Sequence, residues 1–398
     1  MPLTVLAQSQ RDFLMRTSPY PVFRAPESSN YNLRWGRLKG LFRASAQVEF
    51  NDNINLAEVN PESDIAFGPT LGIGFFWPMN QNNLMQFDVG VGYRWYLNHS
   101  ELDSFTVLPN TRWDYRMFLG QTQIDIHDNL SIQVDPISRA EISGSPGGIL
   151  NFKVLNNTAG IQADRKLYRD LGAVAGFDYT IVRSLTDQFT SLDRDDQTAN
   201  AGLYYQVSPQ WTVGVNGSVT STDYLETVQN DGTSYSAGVH ANYIATKFIT
   251  VDLAAGYSSS SFETGGLIGD TSEFSGLTYS LSVQHRVNPR LNHNVRVSKS
   301  ANLGFGNNFT DTLALQYGLM MRLSKRLNVN STFSYESLDF SGPRGEVADR
   351  YLFYFGTGYQ VAKNWMLGLG FAFAWKNSNL PGNDYQQNRL TIDVTRQF

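Results

Sequence analysis

The chain has 398 residues, no cysteine and a formal net charge of −5, a balance that gives no basis for a nucleic-acid partner. No stretch approaches the roughly 18 consecutive apolar residues of a membrane helix, which excludes a protein that crosses a membrane with helices. A transmembrane barrel stays compatible with these numbers, because each of its strands is only half apolar. The lack of cysteine also suits an exported protein, since stray thiols oxidise outside the cytoplasm.

The first segment, residues 1–39, is basic and interrupted by prolines, and it shows no alternation of polar and apolar residues. Its opening ten residues, MPLTVLAQSQ, resemble the tail of a cleavable export signal that lacks its basic start. Either the true start lies upstream of Met1 or the numbering begins after trimming, and we favour the first. We predict a loosely ordered leader, a periplasmic segment that docks on a partner, or a plug folded into a pore.

From Gly40 onward, apolar and polar residues alternate in one segment after another. In residues 365–375, for example, Trp365, Leu367 and Leu369 point one way while Gly368 and Gly370 point the other. A helix would scatter these residues around its circumference, whereas a strand sorts them onto two faces. The same pattern is clear in residues 236–246, 250–257, 277–287, 313–323 and 351–361.

The links between these segments alternate in length. Very short turns, such as residues 288–290 and 324–326, alternate along the chain with longer polar links, such as residues 226–232 and 263–273. Outer-membrane barrels have this pattern, with short turns in the periplasm and long loops outside. The fold class is therefore an all-β, antiparallel, up-and-down transmembrane barrel of about 18 strands over residues 40–398. The count is weakest between Phe105 and Gly148, where Pro109 and Gly120 interrupt the pattern.

The last strand has an apolar face that ends in an aromatic residue, which is typical of a signal for the barrel-assembly machinery. That face carries Leu390, Ile392, Val394 and Phe398. Arg396 lies on the same face and is expected to snorkel to the membrane surface. Aromatic residues near other strand ends predict girdles at the two membrane interfaces: Trp95, Tyr243, Tyr257, Tyr335, Tyr351, Trp365 and Trp375.

Several stretches resemble the outer-membrane β-barrel porin family associated with bacterial exopolysaccharide export loci. The resemblance is carried by ASAQVEFND with Asn53 and Asn55, by PESD at 61–64, by IDIHDNLSIQVDP at 124–136, by NNTAG at 156–160 and by the last strand. It covers the chain from Gly40 as a pattern of strands with short signatures. It implies an outer-membrane pore with a role in polysaccharide export, and it brings no catalytic residues.

The faces opposite the apolar ones are expected to line a lumen and form the substrate path. They carry Asp88, Arg94, Tyr96, Tyr204, Asp252, Arg286, Arg296, Arg322, Glu336, Tyr354, Arg389 and Asp393. Guanidinium groups grip carboxylates, and aromatic rings stack on sugars, so this mixture suits a polysaccharide strand. It also suits a general diffusion pore, or an ordinary barrel wall in which these residues only form stabilising cross-strand pairs. Inward glycines such as Gly356 and Gly368 either widen the lumen or ease the curvature of the sheet.

The sequence predicts a passive aqueous conduit in the outer membrane of a Gram-negative bacterium, and neither an enzyme, a metal site nor a cofactor. The first hypothesis is polysaccharide export; the alternatives are a general or sugar-selective diffusion porin and a structural or adhesive barrel with a closed lumen. Expected partners are outer-membrane lipid and lipopolysaccharide, the barrel-assembly machinery, periplasmic polysaccharide-export proteins and a saccharide cargo.

Overall fold

The computed structural model describes residues 31–109, 111–134, 153–343 and 345–398, and most of them belong to one closed antiparallel sheet. Its strands are β1 (Leu33–Trp35), β2 (Leu38–Asn51), β3 (Asp64–Pro78), β4 (Asn83–Tyr96), β5 (Ser104–Val107), β6 (Arg112–Leu119), β7 (Thr122–Val134), β8 (Lys153–Lys166), β9 (Leu171–Ser184), β10 (Arg194–Ser208), β11 (Trp211–Tyr224), β12 (Gly232–Thr246), β13 (Ile249–Phe262), β14 (Phe274–Asn288), β15 (Leu291–Leu303), β16 (Phe309–Arg322), β17 (Leu327–Phe340), β18 (Val347–Ala362), β19 (Trp365–Ser378) and β20 (Tyr385–Gln397).

The sheet closes into a barrel because β2 pairs with β20, from Arg43 opposite Gln397 to Asn51 opposite Arg389. The other long strands each pair with their neighbours in sequence. Strands β5 and β6 occupy one position between them, since both pair with β4 and with β7. With β1 as a short flap beside β2, the barrel has eighteen strand positions, so the predicted fold class and strand number are confirmed.

The break between β5 and β6 accounts for the weakest part of the sequence prediction. The strand is interrupted around Pro109, and the backbone N–H of Thr111 donates to Leu108 O across the break. Proline cannot donate to a sheet ladder, so a break or an edge is where it is tolerated. Strand β6 then ends at the hairpin turn of Gly120, whose φ is +62°.

Alternation along each strand separates an outward face from an inward face. In β19, Phe371 and Trp375 point outward and are 37% and 44% exposed, whereas Ala374 and Lys376 point inward and are 6% and 3% exposed. The seven predicted girdle aromatics all lie on the outward face, where Tyr351 stacks on Trp375 at 5.2 Å. Among the described residues, helix is limited to 3-10 turns at Ser100–Leu102 and Asp187–Leu192, and none could cross a membrane.

The two ends of the barrel differ. The short links, such as residues 209–210 and 363–364, lie at one end, here called the turn end, and the long links lie at the other, called the loop end. Strand β1 pairs with the start of β2 at the turn end, with Leu33 opposite Gly40. The predicted N-terminal segment 1–39 thus contributes its last residues to the sheet, and residues 1–30 lie outside the described part of the chain.

Arg396 is accommodated on the apolar face by two aromatic rings. Its guanidinium carbon lies 5.2 Å from the ring centre of Trp365 and 4.5 Å from that of Phe398. Aromatic faces attract cations, so these rings offset part of the cost of placing a charge there. Phe398 is itself held by its backbone N–H, which donates to Phe42 O at 3.0 Å.

Candidate functional site

The candidate site is the inner wall of the barrel together with the loop that folds into it. The alternation of each strand places all twelve residues of the predicted substrate path on the inward face. They are spread around the wall and along its length rather than gathered in one cluster. Their contact with a substrate stays a prediction.

Ion pairs brace the inner wall near the loop end. Arg94 pairs with Glu49, reaching across β3, and the Arg94 guanidinium lies 5.3 Å from the Tyr96 ring. On the other side of the seam, Arg350 Nε donates to Glu336 at 2.8 Å. Lys376 and Glu346 form a fully buried pair, with Nζ and Oε1 2.6 Å apart. A buried charge needs such a partner, so these groups hold one another in fixed positions.

A loop from the loop end, residues 52–63 and here called the inner loop, bends back inside the barrel. Asn53 is 2% exposed, and its Nδ2 donates to Ala57 O at 2.9 Å and to Gln386 O at 2.8 Å. The Asn53 Oδ1 accepts from the N–H of Ala57 at 3.0 Å, and Gln387 Nε2 donates to Asn53 O at 2.7 Å. One asparagine therefore shapes the loop and fastens it to β20.

Apolar contacts fix the inner loop to the wall on both sides of this anchor. Ile54 is 1% exposed and packs against Ala66, Tyr96 and Leu102 on the β3–β4 side. Leu56, which has a φ of +47°, packs against a cluster on the other side that consists of Leu352, Ala374 and Tyr385. The loop thus covers the strands from β18 through β20 and β2 to β4, six of the eighteen positions, and it narrows the lumen there.

A histidine joins the inner loop to the next long link. His99 Nδ1 lies 2.8 Å from Asp64 Oδ2, and His99 Nε2 lies 3.0 Å from Glu62 Oε2. Burial alone would lower the pKa of His99, but the Asp64 and Glu62 carboxylates outweigh it and raise that pKa above its usual value. Protonated His99 therefore holds the two links together.

A buried aspartate at the loop end fastens its own loop to three others. Asp270 is 2% exposed and accepts from Asn308 N–H at 2.8 Å and from Ser341 Oγ at 2.7 Å, while Asn230 Nδ2 donates to Asp270 O at 2.7 Å. Burial alone would raise the pKa of Asp270, but the hydrogen bonds from Asn308, Ser341 and Ser272 hold that pKa below its usual value. The ionised carboxylate is thus the favoured form, and it fixes the outer rim.

Several inward glycines lie beneath neighbouring polar side chains. A Cβ at Gly368 would overlap the Asp393 carboxylate, and one at Gly356 would lie 2.7 Å from Asn330 Oδ1. Gly172 is covered in the same way by the Tyr204 ring, which reaches over β9 to donate to Asp164 Oδ1 at 2.8 Å. These glycines let long side chains lie flat along the wall.

A cavity of about 120 Å³ lies at the turn end, beside the Tyr204–Asp164 pair. It is lined by Phe118, Gly120, Gln121, Gln123, Asp164, Lys166, Arg169, Asp170, Leu171, Tyr204 and Gln206. Tyr204 is one of the residues that the sequence predicts to line the lumen.

Sequence reasoning missed most of the residues that shape the site. Asn53 stands within the stretch that carried the family resemblance, so its position was a usable signal. Asp270 and Glu346 gave no signal, because a carboxylate in a polar link is ordinarily solvated.

Comparison with known proteins agrees with this geometry. Residues 43–398 match the model of a family described as "Putative beta-barrel porin 2". The chain is similar in structure to Pseudomonas aeruginosa OpdK with vanillate, at 12% identity and a TM-score of 0.50, covering 90% of this chain and 99% of that one. It is also similar to Pseudomonas aeruginosa OccK2 (OpdF) in complex with glucuronate, at 9% identity and a TM-score of 0.52, covering 90% and 98%. At these identities the likeness shows the fold alone. The search of curated proteins gave no match.

Proposed function

The chain belongs to the Putative beta-barrel porin 2 family, and from that premise we propose that it is a sugar-selective diffusion porin. Membership of a porin family supports a channel in the bacterial outer membrane, with the turn end facing the periplasm. Selectivity for sugars is the part that goes beyond family membership, and the inner wall supports it.

The observation that carries the proposal is the inner loop. A barrel of eighteen strands leaves a water-filled channel unless something enters it. The inner loop enters it and is fixed by a buried asparagine and by apolar contacts on both sides. A fixed constriction favours small solutes over large ones, so we expect single sugars and short saccharides to pass more readily than long chains.

The chemistry of the wall suits a solute with many hydroxyl groups. Asp393 and Asn330 lie flat over inward glycines, and the Tyr354 hydroxyl lies beside Gly356. Carboxylate and amide groups form hydrogen bonds with hydroxyl groups. A tyrosine side chain adds an apolar ring face and a polar hydroxyl. Such a wall can exchange hydrogen bonds with a sugar as the sugar sheds its water.

Polysaccharide export is the second candidate, and the same mixture of arginine, amide and tyrosine side chains favours it. In that function the barrel would work as a passive conduit with periplasmic export proteins. The docked inner loop favours transport of single sugars and short saccharides, because it leaves less room for a polysaccharide.

The test uses the refolded full chain in liposomes, with swelling measured in glucose, in a trisaccharide and in a long dextran. We expect glucose to enter fastest, and we expect this size preference to fall when residues 54–61 are replaced by eight glycine and serine residues. Equal rates for all three sugars would contradict selectivity, and no swelling would indicate a closed structural barrel. Loss of surface polysaccharide in a deletion strain would instead support export.

A further inference from the structure

The cavity at the turn end has the chemistry of a site for a sugar acid. We propose that it binds the carboxylate end of a uronic acid as that sugar passes the periplasmic mouth. This inference rests on the proposed saccharide porin and adds to it the class of sugar.

The cavity lies on the inner wall at the turn end, which is the periplasmic mouth in the proposed orientation. It is enclosed by the hairpin turn at residues 120–121, by the turn at residues 167–170, and by the inward faces of β7, β8 and β10. Its volume of about 120 Å³ is several times the roughly 10–15 Å³ that a cavity needs to hold one water. This is room for a carboxylate and the carbons next to it, with the rest of the sugar in the lumen.

Two cations line the cavity together with the carboxylates of Asp164 and Asp170, and they supply the charge that a bound carboxylate needs. Lys166 stands at the end of β8 and Arg169 in the turn after it, and both are exposed to solvent. In the described part of the chain, neither has a carboxylate within ion-pair distance. Wall arginines such as Arg94 and Arg350 differ, since each is already paired with a glutamate. A guanidinium binds a carboxylate through two parallel hydrogen bonds, and an ammonium adds a point charge.

Other residues that line the cavity offer groups suited to sugar hydroxyls. Asp164 is held by Tyr204, whose hydroxyl donates to Oδ1, while the second oxygen, Oδ2, accepts no hydrogen bond from the described residues. Tyr204 is in turn fixed, because its ring lies over Gly172. Gln123 and Gln206 add amide donors and acceptors, and the Phe118 ring adds an apolar surface. The cavity therefore combines cations that can bind a carboxylate with polar groups that can bind hydroxyls.

The test is equilibrium binding of glucuronate to the refolded full chain in detergent, measured by titration calorimetry. The test variant is Lys166→Gln with Arg169→Gln, and the matched control is Lys325→Gln with Arg326→Gln. The control removes the same two charges from another exposed turn at the same mouth. Losing charge-assisted hydrogen bonds should weaken binding at least about tenfold in the test variant and leave the control unchanged.

Each outcome of this titration decides the assignment. Equal affinity in the test variant and the wild type would overturn it, as would the absence of binding to the wild type. Acetate binding as tightly as glucuronate would also overturn it, because the sugar ring would then contribute nothing. Glucose should bind more weakly than glucuronate. Liposome swelling is measured separately, so a barrel that passes no sugar refutes the proposed function without being confused with a missing site.

Discussion

Replacing Asn53 with aspartate should release the inner loop while the barrel stays closed. The two side chains have the same shape, but the aspartate oxygen that replaces Nδ2 would face two carbonyl oxygens, Ala57 O and Gln386 O, which Asn53 contacts at 2.9 and 2.8 Å. Two hydrogen bonds are lost at about 1 kcal/mol each, and a buried charge adds a further cost, so we take a total of about 3 kcal/mol. This corresponds to roughly a hundredfold fall in the ratio of docked to undocked loop.

The assay for this change is single-channel conductance in planar bilayers. The Asn53→Asp protein should show higher or more variable conductance than the wild type, because the undocked loop no longer narrows the lumen. Asn60→Asp is the matched control, since Asn60 is an exposed residue of the same loop with a φ of +56°, which both residue types tolerate. Conductance of Asn53→Asp that matches the wild type in level and variability would refute the reasoning.

Three further predictions follow from contacts at the two ends of the barrel. Gly172→Ala should lower the unfolding midpoint in urea by displacing the tyrosine ring above it, whereas Gly358→Ala, whose nearest neighbour would lie 3.6 Å away, should not. Because the pKa of His99 is raised in the folded protein, its stabilising contribution is complete below about pH 6.5 and is lost as pH rises through the higher folded value. Loop fluctuations in conductance should therefore increase with pH in the wild type and lose that dependence in His99→Gln. Asp270→Ala should make the outer loops more sensitive to limited proteolysis, and Glu273→Ala, which removes an exposed carboxylate of the same loop, should leave the cleavage rate unchanged.

The barrel could be predicted from the sequence because its two strongest determinants are local. Alternation in residues 365–375 depends only on neighbouring positions, and it sorts Trp365 from Gly368 without any knowledge of the fold. The alternation of short and long links is equally visible along the chain. The broken strand around Pro109 is harder to predict because a local pattern is missing there. Its two halves are aligned by tertiary pairing with β4 and β7.

The path inside the barrel could be predicted only in part. Alternation gives the face of Arg94 or Tyr204, but it does not give a partner on another strand, such as Glu49 or Asp164. The inward bend of the inner loop depends on hydrogen bonds from Asn53 to residues of β20, which are distant in sequence. The covering of glycines by polar side chains likewise depends on register, which alternation alone leaves open.

The attachment of the inner loop also sets an order of events during assembly. Asn53 binds Gln386 and Gln387, which follow it by 333 and 334 residues, and Asp52 Oδ1 accepts from the backbone N–H of Asn388. Contacts between such distant residues form late, because the chain between them must first be ordered. The constriction can therefore form only after β20 has paired with β2. Before the barrel closes, the inner loop has no partner on β20 to hold it. A narrowed lumen therefore indicates that the barrel is fully assembled.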